Sequence, residues 1–266
     1  MCPADEPRPL EHPLPGKTRK LLTSDGWAML VGAAATVALE LGVYLLAVRG
    51  GASPREAIPA LLGAATVWVA LAAPALGAGG KRLVAVMLRT AVPADASAVS
   101  LLVVCWISPF VTLSAGVKVY CTLAAMGLLA MAAIACARTP GGRCAVAVVV
   151  AVVLMAAAST PFWTGGLLRA FPWEQRRPIA KWSVYANPFY CVTAPFTQDD
   201  ETRFIWHREG LLYKYFPILG DSGAPPVLWY PSAVICAALA VALGAVAALR
   251  SRRGSSRGRQ KSWSSG

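Results

Sequence analysis

The chain has 266 residues, of which 56% are hydrophobic and 14% are charged, and its formal net charge is +12. An ordinary soluble domain carries roughly 25% charged residues, so this composition excludes a water-soluble globule. The apolar content also excludes a largely disordered chain. We therefore expect an all-α, polytopic integral membrane protein that crosses the cell (cytoplasmic) membrane several times.

Six runs of the sequence are long and apolar enough to cross a bilayer as helices, which takes about 20 residues for about 30 Å of hydrocarbon. In chain order they cover residues 27–48, 57–76, 99–115, 119–137, 143–162 and 227–249. Because three residues separate the third and fourth runs, one continuous helix over 99–137 is the alternative. That helix would be about 58 Å long, which is too long for one crossing. We therefore predict a helical bundle of about six transmembrane helices.

The distribution of basic residues predicts the orientation of this bundle, since lysine and arginine are enriched in cytoplasmic segments. With six spans, the segments on the side of both termini hold fifteen Lys and Arg residues, and the short loops on the other side hold three. Both termini are therefore predicted to be cytoplasmic. We predict a disordered or interfacial arm over 1–26, spans one to five over 27–162, an extracytoplasmic aromatic-rich loop or cap over 163–226, span six over 227–249, and a basic disordered tail over 250–266.

Two connecting segments have compositions of their own. Residues 77–98 begin with glycines and contain Lys81, Arg82 and Arg89 in an apolar remainder, so we interpret them as an interfacial linker or a coupling helix on the membrane surface. Residues 163–226 hold 13 of the 23 aromatic residues and seven of the twenty prolines. That mixture predicts a compact irregular cap, with its tryptophans at the level of the lipid headgroups.

Glu40 is the acidic residue that interrupts the first span. An ionised group inside a membrane is costly unless it faces protein or water. It continues a row that recurs every four residues along one side of the helix, namely Ala28, Gly32 and Thr36. Small residues in such a row predict close helix packing, so Glu40 is predicted to point into the bundle. In that position Glu40 could relay a proton or cation, contact a substrate, or act as a hydrogen-bonded packing residue. Lys118 is its candidate partner, and the alternative is that this lysine extends to the membrane interface.

Span six carries a similar row at Cys236, Ala240, Gly244 and Ala248, and we interpret it as a second packing face. A basic cluster follows directly. A cluster in this position anchors the topology and contacts anionic lipid. Its members are Arg250, Arg252, Arg253, Arg257, Arg259 and Lys261. Because no folded nucleic-acid reader accompanies it, we expect no nucleic-acid partner.

The sequence offers little that would carry out catalysis. Cys191 and His207 are the one nucleophile–base pair in the aromatic-rich loop, and the two histidines do not make a metal site. No G-x-S-x-G, Walker A or G-x-G-x-x-G motif occurs. We therefore expect a protein that is not an enzyme, with no catalytic residue, no metal and no cofactor.

Residues 77–160 show a recognisable order of elements. A glycine-basic linker (GAGGKRLVAVMLRTAV) precedes a span that ends near Ser108-Pro109-Phe110, and a second span follows closely. A short basic linker (ARTPGGR) then leads to another apolar span. This order resembles the later spans of Yip1-type membrane proteins. The resemblance implies a multispan protein of membrane organisation or traffic, with lipid and other membrane proteins as partners and no catalytic residues.

The topology alone is similar to that of ABC-2-type export permeases. The shared features are six spans, two cytoplasmic termini, an interfacial N-terminal helix and a largest outer loop between spans five and six. This similarity implies a separate ATPase partner and a dimer. The sequence therefore leaves two functions open: membrane organisation or partner binding without enzymatic activity, and a permease subunit of an export system.

Overall fold

The computed structural model describes residues 16–80, 82–108, 111–196 and 228–263, and over these residues it is helical without strands. The helices are α1 (Gly16–Arg49), α2 (Pro54–Ala78), α3 (Leu83–Ile107), α4 (Leu113–Ala135), α5 (Pro140–Ala158), α6 (Thr160–Arg169), α7 (Trp173–Ala186), α8 (Pro188–Thr193) and α9 (Pro231–Trp263). Six of them contain a segment long and apolar enough to span a membrane. The predicted all-α bundle of six spans is therefore confirmed.

Short polar side chains begin several of the spanning helices. Ser53 and Glu56 form a reciprocal capping box at the start of α2: the Ser53 backbone N–H donates to Glu56 Oε2 at 2.7 Å, and the Glu56 N–H donates to Ser53 Oγ at 3.3 Å. Thr112 accepts from the Ala115 N–H at the start of α4, and Thr139 accepts from the Gly142 N–H at the start of α5. These caps satisfy backbone donors at the helix ends and permit short turns between spans.

The third span lies elsewhere than predicted. It runs over Leu83–Ile107, so most of the segment interpreted as an interfacial linker over 77–98 belongs to a membrane-spanning helix, and that prediction is wrong. The helix ends where the residue before Pro109 is forced out of the helical conformation, and Ser108 is extended with φ −119° and ψ 121°. Consequently α4 begins at Leu113, and Lys118 lies inside a helix instead of between two spans.

Helices α2 and α4 form the centre of the bundle. In α2 and α4, 56% and 61% of the most apolar window is buried, whereas in α5 and α9 the share is 11%. Helix α2 contacts α1, α3, α4 and α5, and α4 contacts α3, α5 and α9. The peripheral helices therefore present most of their apolar side chains to lipid.

The helices alternate in direction along the chain, so the two ends of the bundle differ. Thr122 donates to the Trp229 carbonyl at 3.2 Å, and Cys136, four turns further along α4, donates to the Leu243 carbonyl at 3.4 Å. Helices α4 and α9 therefore run parallel, as six alternating spans require. We call the end that holds residues 50–53, 111–112 and α6–α8 the capped end, and the opposite end, with residues 79–80 and 136–139, the open end.

The described part of the predicted cap is helical, and the prediction of an irregular structure is wrong for residues 163–196. Asn187 fixes its last helix in place. Its Oδ1 accepts from the Phe189 and Tyr190 N–H groups at the start of α8, and its Nδ2 donates to Thr160 Oγ1 at 2.8 Å. Helix α8 is thereby held among α2, α4 and α9, with Tyr190 fully buried. Residues 197–226 of the predicted cap lie outside the described residues.

The two terminal segments differ from the predicted boundaries. Helix α1 already begins at Gly16, within the predicted arm, and residues 1–15 lie outside the described residues. Helix α9 continues to Trp263, so the tail predicted as disordered over 250–266 is helical to that residue. The arginines and lysines in it are good helix formers and permit this continuation. The structure does not describe the side chains of the basic cluster, so their contact with anionic lipid stays a prediction.

The predicted packing residues are buried to different extents in α1 and α9. In α1, Thr36 and Glu40 are buried, Ala28 is partly buried, and a Cβ on Gly32 would lie 3.0 Å from Leu76 Cδ1 of α2. In α9, Cys236 is buried and Ala240 is partly buried. Gly244 is exposed and has open space around it, so its assignment to the packing face is wrong. An i, i+4 row turns by about 40° at each step around a helix of 3.6 residues per turn, and the contact passes to Leu243 instead.

Gly77 lets three helices meet, and its replacement provides a test of the fold. A methyl group on Gly77 would overlap Thr90 Cγ2 and lie 2.9 Å from Ile134 Cδ1. Thr90 is fixed, since its hydroxyl bonds to the Val86 carbonyl at 2.9 Å. We expect Gly77→Ala to destabilise the bundle by about 1–3 kcal/mol through overpacking. Its midpoint of thermal unfolding, followed by size-exclusion chromatography in detergent, should fall.

Gly244→Ala is the matched control for this prediction. A Cβ at that position meets nothing within 4 Å, so the unfolding midpoint should not fall. Equal loss of stability in the two variants would contradict the assigned helix contacts.

Candidate functional site

Two carboxylic acids lie deep in the spanning helices, on different surfaces of the bundle. Glu40 is nine residues before the end of α1, and Asp95 is the middle residue of α3. Glu40 is buried with 1% of its surface exposed, whereas Asp95 is exposed on the outside of the bundle. Ionisable side chains inside a membrane are rare and commonly functional, so these two residues define the candidate sites.

Glu40 lies against α3. Its Oε1 is 2.5 Å from the hydroxyl oxygen of Ser97, and that hydroxyl also lies 2.8 Å from the carbonyl oxygen of Pro93. A hydroxyl has a single hydrogen, so Ser97 donates to one of these acceptors at a time. When Ser97 donates to Pro93, a protonated Glu40 donates to Ser97. The arrangement therefore accommodates either protonation state of the carboxyl group.

The second oxygen of Glu40 lacks such a contact. Oε2 is buried and has no hydrogen-bond partner among the described residues. One helical turn away, Trp68 Nε1 of α2 donates to Thr36 Oγ1 at 2.8 Å, which ties α1 to α2 beside the carboxyl group. A buried carboxyl group with one unoccupied oxygen can hold a proton or accept one further donor.

The structure does not bring Lys118 to Glu40. No ion pair joins them in the part of the chain that the structure describes, and Ser97 occupies the position predicted for the lysine. The two residues also lie at different depths. Glu40 is about 13 Å from the capped end along α1, and Lys118 is about 7 Å from it along α4, at about 1.5 Å per residue.

Asp95 belongs to a groove between α3 and α4. The Tyr120 hydroxyl donates to Asp95 Oδ1 at 2.9 Å, and Tyr120 is itself 36% exposed. Beside this pair lies a cavity of about 270 Å³ that reaches Cys105 and Thr112 near the capped end. The groove therefore leads from the middle of the membrane-spanning layer to its capped end. It presents an acidic group on a surface otherwise suited to lipid.

Asp95 lies outside the third span as predicted from the sequence, at 99–115, and was therefore not among the predicted site residues. A usable signal existed. Asp95 follows Pro93 in a 25-residue segment with mean hydropathy 1.7 in its most apolar window, which tolerates a charge. Tyr120 was missed for a different reason: its pairing with Asp95 depends on how α3 and α4 face each other.

Cys191 is buried within the cap helix α8, and its thiol donates to the Tyr185 carbonyl at 3.7 Å. Burial raises the pKa of the Cys191 thiol to about 12. The thiolate is the reactive form of cysteine, so this residue is chemically inert at neutral pH. His207, its suggested partner, lies outside the described residues.

The described side chains include no group of three His, Cys, Asp or Glu residues that would bind a metal ion. No protein-family model, no curated protein and no solved structure matches the chain. The function is therefore inferred from the polar contacts of Glu40 and Asp95.

The raised pKa of Cys191 predicts slow alkylation. At pH 8 a thiol with a pKa near 12 has roughly a thousandfold less thiolate than an unperturbed one. In a variant that retains Cys191 as its single cysteine, we expect maleimide labelling of native membranes at pH 8 to be far slower than labelling after denaturation. Mass spectrometry of the protein measures both rates.

A variant that retains the exposed Cys144, near the start of α5, as its single cysteine is the control and should react readily in native membranes. Comparable rates at Cys191 and at this position would show that the cap helix is not packed as described.

Proposed function

We propose that this six-span integral membrane protein acts in the cell membrane as a non-enzymatic binding partner of other membrane proteins, with a role in membrane organisation similar to that of Yip1-type proteins. The observation that carries the proposal is Asp95, a carboxyl group exposed on the outer surface of the bundle at the midpoint of α3. Its binding surface is the groove between α3 and α4, which we call the Asp95 groove.

The free energy of exposing a carboxylate to lipid supports a protein partner. Insertion scales give a cost of roughly 2.5–3.5 kcal/mol for an aspartate at the centre of a spanning helix. The hydrogen bond from Tyr120 offsets part of this cost, but Asp95 remains exposed. A neighbouring protein that supplies polar groups to Asp95 would remove the rest, and it would gain binding free energy in doing so.

Basic residues near the open end support the proposed orientation, in which both termini are cytoplasmic. Arg82 begins α3, and Arg138 and Arg143 lie beside the turn between α4 and α5. Arg143 reaches across to the Gly80 carbonyl of the neighbouring turn. Arginines in short connections at one end of a bundle favour the cytoplasmic side for that end.

Photocrosslinking tests this proposal in native membranes. Leu102 lines the Asp95 groove and is 55% exposed, so benzoylphenylalanine at this position should form a discrete adduct with another membrane protein. Asp95→Asn should lower the yield of this adduct several-fold, because it removes the charge that the partner compensates. Gel electrophoresis and mass spectrometry of the adduct give the measurement.

Val149 provides the matched control for this crosslink. It is 61% exposed on α5, a helix that does not line the groove, and should yield no discrete adduct. The proposal fails if Leu102 and Val149 give the same products, or if Leu102 gives none while the protein is present at normal abundance.

A permease subunit of an ABC-2-type export system is the second candidate, and Glu40 is the observation that favours it. Its buried Oε2 has no hydrogen-bond partner among the described residues, so the carboxyl group can take up a proton or accept one further donor. This candidate requires a separate ATPase partner and a dimer of the spanning chain.

Replacement of Glu40 separates the two candidates. For a permease, Glu40→Gln should abolish export, because the amide cannot exchange a proton, while protein abundance stays normal. The measurement is mass spectrometry of the medium from a deletion strain that carries either the wild-type chain or the variant.

Glu56→Gln is the matched control, since Glu56 caps α2 at the capped end and is exposed there. It should leave export unchanged. Normal export by Glu40→Gln would rule out Glu40 as a transport residue and leave it a packing role.

A further inference from the structure

The Asp95 groove has a defined chemical character along its length. Its wall includes Asp95 and Tyr120 near the middle of the spans and Thr112 near the capped end. Ala98 contributes a small side chain to the wall, and Gly116 contributes none. The groove is thus apolar for most of its length, with one acidic group at its deepest point in the membrane.

We propose that the occupant of this groove is a transmembrane helix of a partner protein that carries a lysine or arginine near its own midpoint. The basic side chain would pair with Asp95 across the interface. This inference rests on the proposed function and adds the chemistry by which the partner is recognised.

The hydrogen bonding of Asp95 supports a cationic partner. Tyr120 donates to Oδ1, and the two oxygens of a carboxyl group have room to accept further donors. No Lys or Arg forms an ion pair with Asp95 among the described side chains, and its other oxygen accepts no hydrogen bond from them. Charged groups inside membranes pair with one another, so the missing positive charge is expected on whatever covers this surface.

The wall of the groove permits close approach of a neighbouring helix. A Cβ on Gly116 would meet nothing within 4 Å, so a neighbouring backbone can approach α4 closely there. Small residues on spanning helices permit such close contacts.

A second copy of this chain is a poorer fit to the same surface. A two-fold symmetric contact centred on the groove would bring the same residues together from both copies. The two Asp95 carboxylates would then lie near each other, and their repulsion would oppose association. A partner of opposite charge has no such penalty.

A synthetic helix provides the probe for this inference. It consists of about 21 leucine and alanine residues flanked by tryptophan, with one lysine at its centre, and a second version has leucine in that place. The full chain, fused to a fluorescent protein, is reconstituted with the dye-labelled peptide in phosphatidylcholine vesicles. Förster energy transfer at increasing peptide-to-lipid ratios then gives the relative affinities.

We expect the lysine peptide to bind about tenfold more tightly than the leucine peptide, and Asp95→Asn to remove this preference. Tyr120→Phe should weaken it. Asp95→Lys should reverse it, so that a peptide with a central aspartate binds more tightly than the lysine peptide. Because the reversed pair requires a folded chain, this variant guards against loss of binding through misfolding.

Three results would overturn the inference. The first is equal binding of the lysine and leucine peptides by the wild-type chain. The second is a preference that survives Asp95→Asn. The third is binding of tetraphenylphosphonium, or self-association of the chain, that depends on Asp95 while the lysine peptide does not bind.

The inference and the proposed function can fail separately. A partner adduct from Leu102 without any preference for the lysine peptide would leave the proposed function in place and refute the basic partner helix. Absence of an adduct in native membranes would refute the proposed function, whatever the peptides do.

Discussion

The cost of an unsatisfied polar group in hydrocarbon governs this structure. It requires every spanning segment to be helical, because a helix satisfies its backbone groups internally. It also decides the surroundings of each carboxyl group in the spans. Glu40 is turned inward, where Ser97 meets it, and Asp95 on the outer surface is met by Tyr120. In both cases a hydroxyl from a different helix supplies the contact, so each polar pair also fixes how two helices face each other.

Close helix approach makes these contacts possible. Gly32 packs against Leu76, and Thr90 leaves no room for added side-chain atoms on Gly77 or Gly127. These glycines draw α1, α2, α3 and α4 together toward the open end. At that separation side chains as short as Thr36 and Ser97 form hydrogen bonds between helices, to Trp68 and Glu40. Small residues thus bring the helices close together, and the few hydrogen bonds between helices depend on this close packing.

Hydrophobic length alone predicted the number of spans, and the four-residue row before Glu40 predicted the side of α1 that is buried. Neither rule could locate α3, since Arg89 and Asp95 interrupt its apolar run and Pro93 lies within the helix. The same row rule failed at Gly244, because which residues of α9 are buried depends on where α4 lies. The Asp95–Tyr120 pair likewise depends on the packing of two helices. Local patterns carry no information about such pairings.

Glu40 and Asp95 differ in how strongly they support the proposed function. Glu40 lies within an enclosed contact between α1 and α3, and its hydrogen bonds run through Ser97 to the backbone of Pro93. Among the described residues these hydrogen bonds end on α3 and lead to neither end of the bundle. This arrangement is consistent with a structural role for Glu40. Among the described residues the contacts of Asp95 stay incomplete, although a groove gives access to it. A residue whose polar contacts must come from outside is better explained by assembly than by folding. For this reason we favour partner binding over transport as the proposed function.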